Sequence, residues 1–190
     1  MRSATRPNSC PIGFSPRVAL FGTLVLLLAG CSHTWSPGQA PPIPLDVVKA
    51  RDPGLSVDLV NNQPITEPQL FASVSGHKHY ANYNEWTEFF IKYWSEELVK
   101  RNVAVSRESP NKILVKLDDF IISHGFAQVR TNMAIRLSSP DDTWQKTLNE
   151  TDTSGWSLGR AFGSLIYHAV EKMLEDPDIL GRMKTPGRAN

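Results

Sequence analysis

Cysteine is scarce in this sequence: there are two in 190 residues, Cys10 and Cys31. The first lies in an N-terminal segment with the character of a removable signal, so the mature chain is expected to have no disulfide bond. An excess of charge is missing too, because the formal net charge is only +1. This balance gives no electrostatic case for nucleic-acid binding, and no nucleic-acid partner is predicted.

Motifs of several enzyme classes are missing as well. The sequence has no phosphate-binding loop, no zinc-binding helix motif and no dinucleotide fingerprint. His77 and His79 would share one side of an extended segment, but two imidazoles are too few for a metal site and no third ligand follows at a recognisable spacing. We therefore predict no metal, no cofactor and no enzymatic activity.

Long hydrophobic runs are equally rare. The run from Val18 to Leu28 has only about a dozen residues, whereas a helix that spans a bilayer needs about 20. Arg2, Arg6 and Arg17 accompany it, and no acidic residue occurs among the first 30. This profile is typical of a secretory signal peptide that is removed, here predicted as residues 1–30.

The end of the run indicates which kind of signal it is. The sequence Leu28-Ala29-Gly30-Cys31 closely resembles the lipobox of bacterial lipoproteins. The resemblance implies cleavage before Cys31, a diacylglyceryl group on its sulfur and acyl chains such as palmitate as a membrane anchor. Ser32 stands where inner-membrane retention calls for Asp, which implies the outer membrane and a periplasm-facing domain. The alternative is an ordinary signal peptide, or an anchor helix, with a chance cysteine.

Removal of the signal leaves 160 residues with a net charge of −2, enough for one domain. Residues 31–54 are rich in proline, which favours extended backbone, and they are predicted to be a lipidated tether. The alternative is that Ile43 to Val48 packs on the domain. The domain itself is predicted over residues 55–176, and residues 177–190 are expected to be a flexible tail.

Hydrophobic periodicity within residues 55–176 predicts strands and helices in a mixed order. Alternating patterns favour strands near Leu55 to Val60, Ile113 to Ile122, Ala127 to Leu137 and Thr143 to Thr151. Apolar spacings of three and four predict a helix capped by Asn84 and a second helix over residues 158–175. Residues 76–84 read as a polar and aromatic loop. Together these patterns predict an α+β fold, with two helices packed on one face of a mainly antiparallel sheet.

One pentapeptide deserves comparison with a catalytic motif. Gly155-Trp156-Ser157-Leu158-Gly159 matches the nucleophile elbow of serine hydrolases. The sole later histidine, His168, lies eleven residues on in the same predicted helix, roughly 16 Å along its axis, which is too far for a catalytic pair. Ser157 as a helix cap is the simpler reading. Gly155, Gly159 and Gly163 also recur every four residues, a spacing that lets another backbone approach.

The layout of residues 55–175 resembles small α+β lipoproteins of the YajG type. It also resembles auxiliary lipoproteins of lipid-transporting ABC systems, whose early helix often follows a Tyr-and-Trp segment, as Tyr80, Tyr83 and Trp86 do here. The resemblance implies a non-catalytic protein that binds another envelope component, such as a protein partner, in assembly or lipid trafficking. We expect Tyr80, Tyr83 and Trp86 to form the binding patch. A serine hydrolase using Ser157 and a peptidoglycan- or glycan-binding lipoprotein are the alternatives.

Overall fold

The computed structural model describes residues 31–49, 51, 54–74, 76–124, 128–154 and 158–184. These residues contain eight strands and three helices. The strands are β1 (Ser32–Trp35), β2 (Ser56–Asn61), β3 (Gln69–Val74), β4 (His77–Ala81), β5 (Ala104–Val105), β6 (Lys112–His124), β7 (Val129–Ser138) and β8 (Gln145–Ser154). The helices are α1 (Tyr83–Val99), α2 (Leu158–Glu175) and α3 (Pro177–Arg182).

The strands form two sheets. The larger sheet has the order β5-β2-β6-β7-β8, in which β5, β2 and β6 are parallel and β6, β7 and β8 form an antiparallel meander. The smaller has the order β1-β4-β3, with β1 parallel to β4 and β3 antiparallel to it. The predicted α+β class is confirmed.

One face of the larger sheet is the core. Side chains alternate along β7, so that Arg130 and Arg136 face solvent while every second residue from Val129 to Leu137 is buried. This period follows from the pleat of a strand, in which successive side chains point to opposite faces. Helix α1 contacts β2 and β6, and α2 contacts β7 and β8, so both helices cover this face.

A β-bulge in β6 keeps its second half on the same core. The pairing with β7 shifts between Leu117 and Asp119. Buried positions therefore change from odd numbers, which end at Leu117, to even numbers, which begin at Phe120. Without the extra residue Phe120 would point to solvent, because a one-residue slip turns every side chain to the other face.

Helix α1 begins two residues earlier than the sequence pattern predicts. The side chain of Asn82 accepts hydrogen bonds from the backbone amides of Asn84 and Glu85, at 3.0 and 3.2 Å, and is the N-cap. The side chain of Asn84 instead donates to the carbonyl of Gln63 at 2.7 Å. Both asparagines have the chemistry of a cap, and the tertiary partner of Asn84 decides between them.

The segment that the sequence predicts as a tether packs on the domain instead. Strand β1 pairs with β4 from Ser32 opposite Lys78 to Trp35 opposite Ala81. Further along, Ile43 and Val48 are only 2% and 1% exposed. The alternative that Ile43 to Val48 packs on the domain agrees with this arrangement, and the compact unit begins at Ser32 rather than at residue 55.

Arg101 explains how this proline-rich segment is held. The guanidinium is fully buried and donates to the carbonyls of Ile43 and Val48, each at 3.0 Å. It also donates to the Glu97 carboxylate at 2.7 Å, one helical turn away. The carbonyls of Ile43 and Val48 lie outside any strand or helix, and the side chain of Arg101 supplies their hydrogen-bond donors.

The C-terminal segment also differs from the expected flexible tail. Asp176 and Pro177 end α2, but Asp176 is the N-cap of α3 and Pro177 occupies its first turn, where proline is tolerated. Ile179 and Met183 are fully buried, and the indole of Trp144 donates to Asp178 at 2.9 Å. Burial of two apolar side chains is what fixes this turn on the domain. Residues 185–190 lie outside the described part of the chain.

The cap of α3 predicts a pH-dependent contribution to stability. Burial acts to raise the pKa of Asp176, but the hydrogen bond from Lys146 and those from the amides of Ile179 and Asp178 outweigh it, and the pKa is lowered. A carboxyl with a lowered pKa stabilises the fold above its unfolded pKa of about 3.9, and this is lost as pH falls through the folded value.

We therefore expect Asp176→Asn, which keeps the cap, to lower the free energy of unfolding at pH 7 by about 0.5–1 kcal/mol. Urea unfolding from pH 7 to pH 3 measures this, and the difference from wild type should shrink below about pH 4. Asp176→Ala is the control that also removes the cap. A constant difference for Asp176→Asn at all pH values would contradict the ionic explanation.

Candidate functional site

Cys31, the predicted lipidation site, is exposed and carries no disulfide. Its peptide bond leads directly into Ser32, the first residue of β1. Because β1 is hydrogen-bonded into the smaller sheet, no spacer separates Cys31 from the folded domain. In the described residues, no helix has both the length and the apolar character needed to cross a membrane.

Three histidines lie together on the smaller sheet. The rings of His33 and His77 stack with centroids 5.4 Å apart, and those of His33 and His79 with centroids 5.5 Å apart. His33 Nε2 and His77 Nδ1 share a hydrogen bond of 3.1 Å, and the indole of Trp35 donates to His79 Nδ1 at 2.9 Å. Sequence reasoning missed His33, because its place beside β4 depends on the parallel pairing of β1.

This stack has the geometry of packed rings rather than of metal ligands. Ligand nitrogens must converge on one point about 2 Å away, whereas these nitrogens are directed at each other and at Trp35. Among the side chains that the structure describes, no group of three or more His, Cys, Asp or Glu could hold a metal ion.

The aromatic residues predicted as a binding patch do not form an exposed surface. Residues 77–81 are strand β4 rather than part of a loop, and Tyr80 on it is half-buried. Tyr83 and Trp86, in the first turn of α1, are only 8% and 3% exposed. That turn faces the core, so the expected patch is reduced to Tyr80.

Tyr83 and Trp86 instead join a cluster of aromatic rings. The ring of Trp86 lies 5.2 Å from that of Phe120 and 5.3 Å from that of Phe162, and its indole donates to the Trp35 carbonyl at 3.0 Å. Tyr83 meets Phe120 edge-on at 5.4 Å, and burial raises its pKa. The cluster joins α1, α2 and the larger sheet to β1, which is a packing role.

The predicted nucleophile elbow cannot be placed in full. Gly155, Trp156 and Ser157 lie outside the described residues. His168 is exposed on α2, with its Nδ1 3.1 Å from the carboxylate of Glu171 on the same helix.

A groove of about 540 Å³ lies between the N-terminal segment and α2, and we call it the α2 groove. Its two walls come from distant parts of the sequence, so no local pattern could reveal it. One wall consists of Gly38, Gln39 and Pro41, and the other of Gly159, Arg160, Gly163, Ser164, Tyr167 and His168.

The glycine spacing on α2 shapes this groove. A Cβ atom at Gly163 would lie 3.1 Å from the carbonyl oxygen of Gln39, closer than nine in ten real contacts of that kind. The glycine spacing on α2 therefore allows the backbone of the N-terminal segment to approach this helix closely. A Cβ atom at Gly159 would meet no atom within 4 Å, so this position opens onto the groove.

Tyr93 holds the opposite wall in place. Its hydroxyl donates to the carbonyl of Pro41 at 2.6 Å. Burial, and secondarily the Glu97 carboxylate, raises the pKa of Tyr93, so the hydroxyl keeps its proton and remains a donor at neutral pH. We infer that this bond keeps the segment against α1 and the groove open on its α2 side.

Tyr93→Phe tests this hydrogen bond. We expect the free energy of unfolding to fall by about 1 kcal/mol, since the variant removes one partly buried bond and keeps the ring. Urea unfolding measures the loss, and hydrogen exchange at the amides of Gly38, Gln39 and Ala40 should become faster than in wild type. Unchanged exchange there would contradict the positioning role.

Other clefts on the described surface have charged walls. One of about 350 Å³ is lined in part by Lys112, Asp141 and Arg182. Another of about 330 Å³ includes Lys116 and Arg136. By contrast, glycine, proline and the ring of Tyr167 make up much of the α2 groove, which suits an apolar ligand.

Comparisons with known proteins assign this chain to no family. No family profile matches it, and no curated protein matches its sequence. One similar solved structure, described as the crystal structure of an uncharacterized protein, has a TM-score of 0.40 and 6% identity over 77% of this chain and 95% of that one. Lipoprotein GNA1162 from Neisseria meningitidis has a TM-score of 0.33 and 12% identity over 64% of this chain and 99% of that one. At such TM-scores the likeness assigns neither a family nor a function.

Proposed function

We propose that this protein is a non-enzymatic lipoprotein, anchored by lipid on Cys31 in the outer membrane and facing the periplasm, that binds another envelope component. The observation that carries the proposal is the sequence Leu28-Ala29-Gly30-Cys31 directly before β1, with Cys31 exposed. Acyl chains on Cys31 would supply stable anchoring, since two or more chains bind a bilayer far more firmly than one.

The packed N-terminal segment determines where the domain would sit. Ser32 is already paired with Lys78, so the smaller sheet begins one residue after the anchor. A strand residue spans only about 3.3 Å, which leaves the sheet next to the headgroups. The exposed side chains of His33, His77 and Lys78 would then face this layer, and a partner would be met at the membrane surface.

The hydrogen-bond partners of the histidine side chains favour a binding role over catalysis. The imidazoles of His33 and His77 bond to each other, and His79 accepts from Trp35. His168 is paired with Glu171 on an exposed helix face. Acyl transfer needs a base hydrogen-bonded to a hydroxyl or thiol nucleophile, whereas each of these ring nitrogens bonds to another ring or to a carboxylate.

Metabolic labelling with a palmitate analogue, combined with flotation of membranes, tests the anchor. Wild type should be labelled and recovered with outer-membrane vesicles, whereas Cys31→Ala should lose the label. Cys10→Ala is the matched control, because this cysteine lies in the predicted signal, and it should behave as wild type. Equal labelling of wild type and Cys31→Ala, or no label in either, would overturn the proposal.

Crosslinking in membranes tests the binding role. Affinity purification of the full-length protein from crosslinked cells should recover a reproducible set of envelope components by mass spectrometry. A signal-replaced Cys31→Ala version, which is exported but not anchored, should recover fewer of them. Recovery of no envelope component by the anchored protein would contradict a binding function.

A further inference from the structure

We propose that two copies of this protein associate through their β8 strands, which pair antiparallel and continue the larger sheet across a two-fold axis at Asn149. We call the side of β8 that faces away from β7 the β8 edge. This inference goes beyond the proposed function, since it requires neither the lipid anchor nor the envelope partner.

The β8 edge is long and regular. β8 is the last strand in the order of the larger sheet, so within the described residues only its β7 side is paired. It has 10 residues and pairs with β7 without a register shift. Natural edge strands are usually short, bulged or interrupted by proline or lysine, because a free row of amides and carbonyls attracts another strand. β8 contains no proline, and its one lysine, Lys146, is held by Asp176 at 2.5 Å.

The hairpin before β8 fixes which backbone groups lie on this edge. The amide of Ser139 donates to the carbonyl of Trp144 at 3.0 Å, so Trp144 is bonded to the β7 side. Bonded and non-bonded pairs alternate along an antiparallel ladder, so every second residue from Trp144 onward bonds to β7. The residues between them turn their amides and carbonyls outward: Gln145, Thr147, Asn149, Thr151 and Thr153. The amide of Thr153 agrees with this assignment, because it donates to its neighbour's carboxylate at Asp152.

The side chains of these five residues allow a second copy to approach. All five are exposed and none carries a charge, so two such edges meet without repulsion. Three of them are threonines, which favour strands and form cross-strand hydrogen bonds through their hydroxyls. The hydroxyl of Thr151 donates to Asn132 at 2.7 Å and keeps its lone pairs as acceptors. An interface between two identical copies needs a surface that is complementary to itself, and a row of uncharged polar groups meets that condition.

One register pairs all five outward-facing residues, because Asn149 is the middle one. With Asn149 opposite Asn149 of the second copy, Thr147 lies opposite Thr151 and Gln145 opposite Thr153. Each of these pairs exchanges two backbone hydrogen bonds, which gives about ten across the interface. The register therefore satisfies every amide and carbonyl that the β8 edge leaves free.

The neighbouring registers fit less well. An axis at Leu148 or at Glu150 leaves one outward-facing residue of each strand without a partner in β8. An axis at Glu150 also sets two carboxylates opposite each other, which is destabilising. With the axis at Asn149, Lys146 lies opposite Asp152 and Leu148 opposite Glu150, so no like charges meet.

Single cysteines test this register. The experiment uses the mature chain, residues 31–190, with Cys31→Ala, so that an introduced cysteine is the only one. A short bis-methanethiosulfonate joins thiols, and electrophoresis measures the covalent dimer. The Cα atoms of a bonded antiparallel pair are about 5.5 Å apart, whereas the two copies of residue 151 lie four residues out of step, or about 13 Å. We expect Asn149→Cys to be joined roughly tenfold faster than Thr151→Cys.

A mixture of Thr147→Cys and Thr151→Cys chains is the second arm, because these positions lie opposite each other. The mixed dimer should form as fast as the Asn149→Cys dimer, although neither chain is joined quickly to its own kind. Equal rates for all three samples, as random collisions would give, would overturn the register.

Asn149→Pro tests the backbone pairing itself. Its amide faces outward, so proline removes no hydrogen bond to β7 but removes a donor from each copy at the axis. We expect the dissociation constant, measured by sedimentation, to rise at least tenfold, roughly the effect of two lost hydrogen bonds. Asn149→Ala is the matched control, since it keeps the amide and should still form the dimer.

Circular dichroism and urea unfolding establish that each variant is folded. A parent chain that sediments as a monomer at the concentrations used for joining would overturn the proposal. A folded Asn149→Pro chain that remains dimeric would overturn it too, because a surface other than the β8 edge would then join the copies. An equal loss of association in Asn149→Ala and Asn149→Pro would contradict pairing through the backbone.

Discussion

Arg101→Met should lower the free energy of unfolding by about 3–5 kcal/mol, the cost of leaving one member of a buried ion pair without its partner. The variant strands the Glu97 carboxylate, which is fully buried, although Lys100 still reaches its other oxygen at 2.6 Å from a half-exposed position. It also removes the donors for the carbonyls of Ile43 and Val48. Urea unfolding of the mature chain measures the loss.

The double variant Glu97→Gln with Arg101→Met distinguishes the stranded charge from the lost clamp. Because it removes the carboxylate as well, it should be more stable than Arg101→Met alone. Limited proteolysis should still cut both variants faster than wild type within residues 43–48, since neither keeps the guanidinium. A loss below about 1 kcal/mol for Arg101→Met would show that water replaces the arginine at little cost.

Trp86→Ala should also cost about 3–5 kcal/mol, because a large aromatic side chain leaves a cavity that the surroundings fill only in part. The indole lies between Phe120 and Phe162 and bonds to the carbonyl of Trp35, so the loss is felt by four elements. Tyr80→Ala, at a half-buried position on β4, is the comparison and should cost less than about 1.5 kcal/mol.

The same two variants test the binding patch that the sequence suggests. Partner recovery from crosslinked membranes should change with Tyr80→Ala only if this ring contacts the partner, because the fold is kept. With Trp86→Ala any loss of partners should follow the fraction unfolded, measured by circular dichroism on the same sample. A well-folded Trp86→Ala protein that loses its partners would contradict the packing role of this residue.

Several strands could be predicted because their periodicity is local. In β7, the alternation predicts that every second residue from Val129 to Leu137 faces the core, and all of these residues are buried. The change of apolar parity between Leu117 and Phe120 is visible in the sequence as well, and the β-bulge is its structural consequence. Helix α2 has the predicted bounds, residues 158–175, since its apolar stripe is long and regular.

The N-terminal segment shows where local reasoning fails. Its proline content favours extended backbone, which the structure contains at β1, whereas residues 45–47 form a turn. Composition does not say whether the extended part is paired. The pairing is decided by Arg101, whose buried guanidinium reaches the carbonyls of Ile43 and Val48 from more than 50 residues away. It is also decided by β4, which accepts β1 as a parallel neighbour.

The aromatic residues show the same limit. Tyr80, Tyr83 and Trp86 follow one another closely, and rings beside polar residues are typical of a recognition loop. Whether a ring is a ligand contact or core depends on which face of α1 meets the sheet, and that face is set by Phe120 and Phe162. The histidine stack and the α2 groove are similar cases, since each joins residues more than 40 positions apart.

The sequence by itself determined the class of fold and the order of β2, α1, β6, β7, β8 and α2, because each of these depends on neighbours within about twenty residues. The signal with its lipobox is a prediction of the same local kind. Only the tertiary structure decided that the N-terminal segment packs on the domain, that Tyr83 and Trp86 are core and that a groove opens beside Gly159. These features arise from contacts between distant segments, whose energies depend on burial and on which partners meet, and no local pattern encodes that.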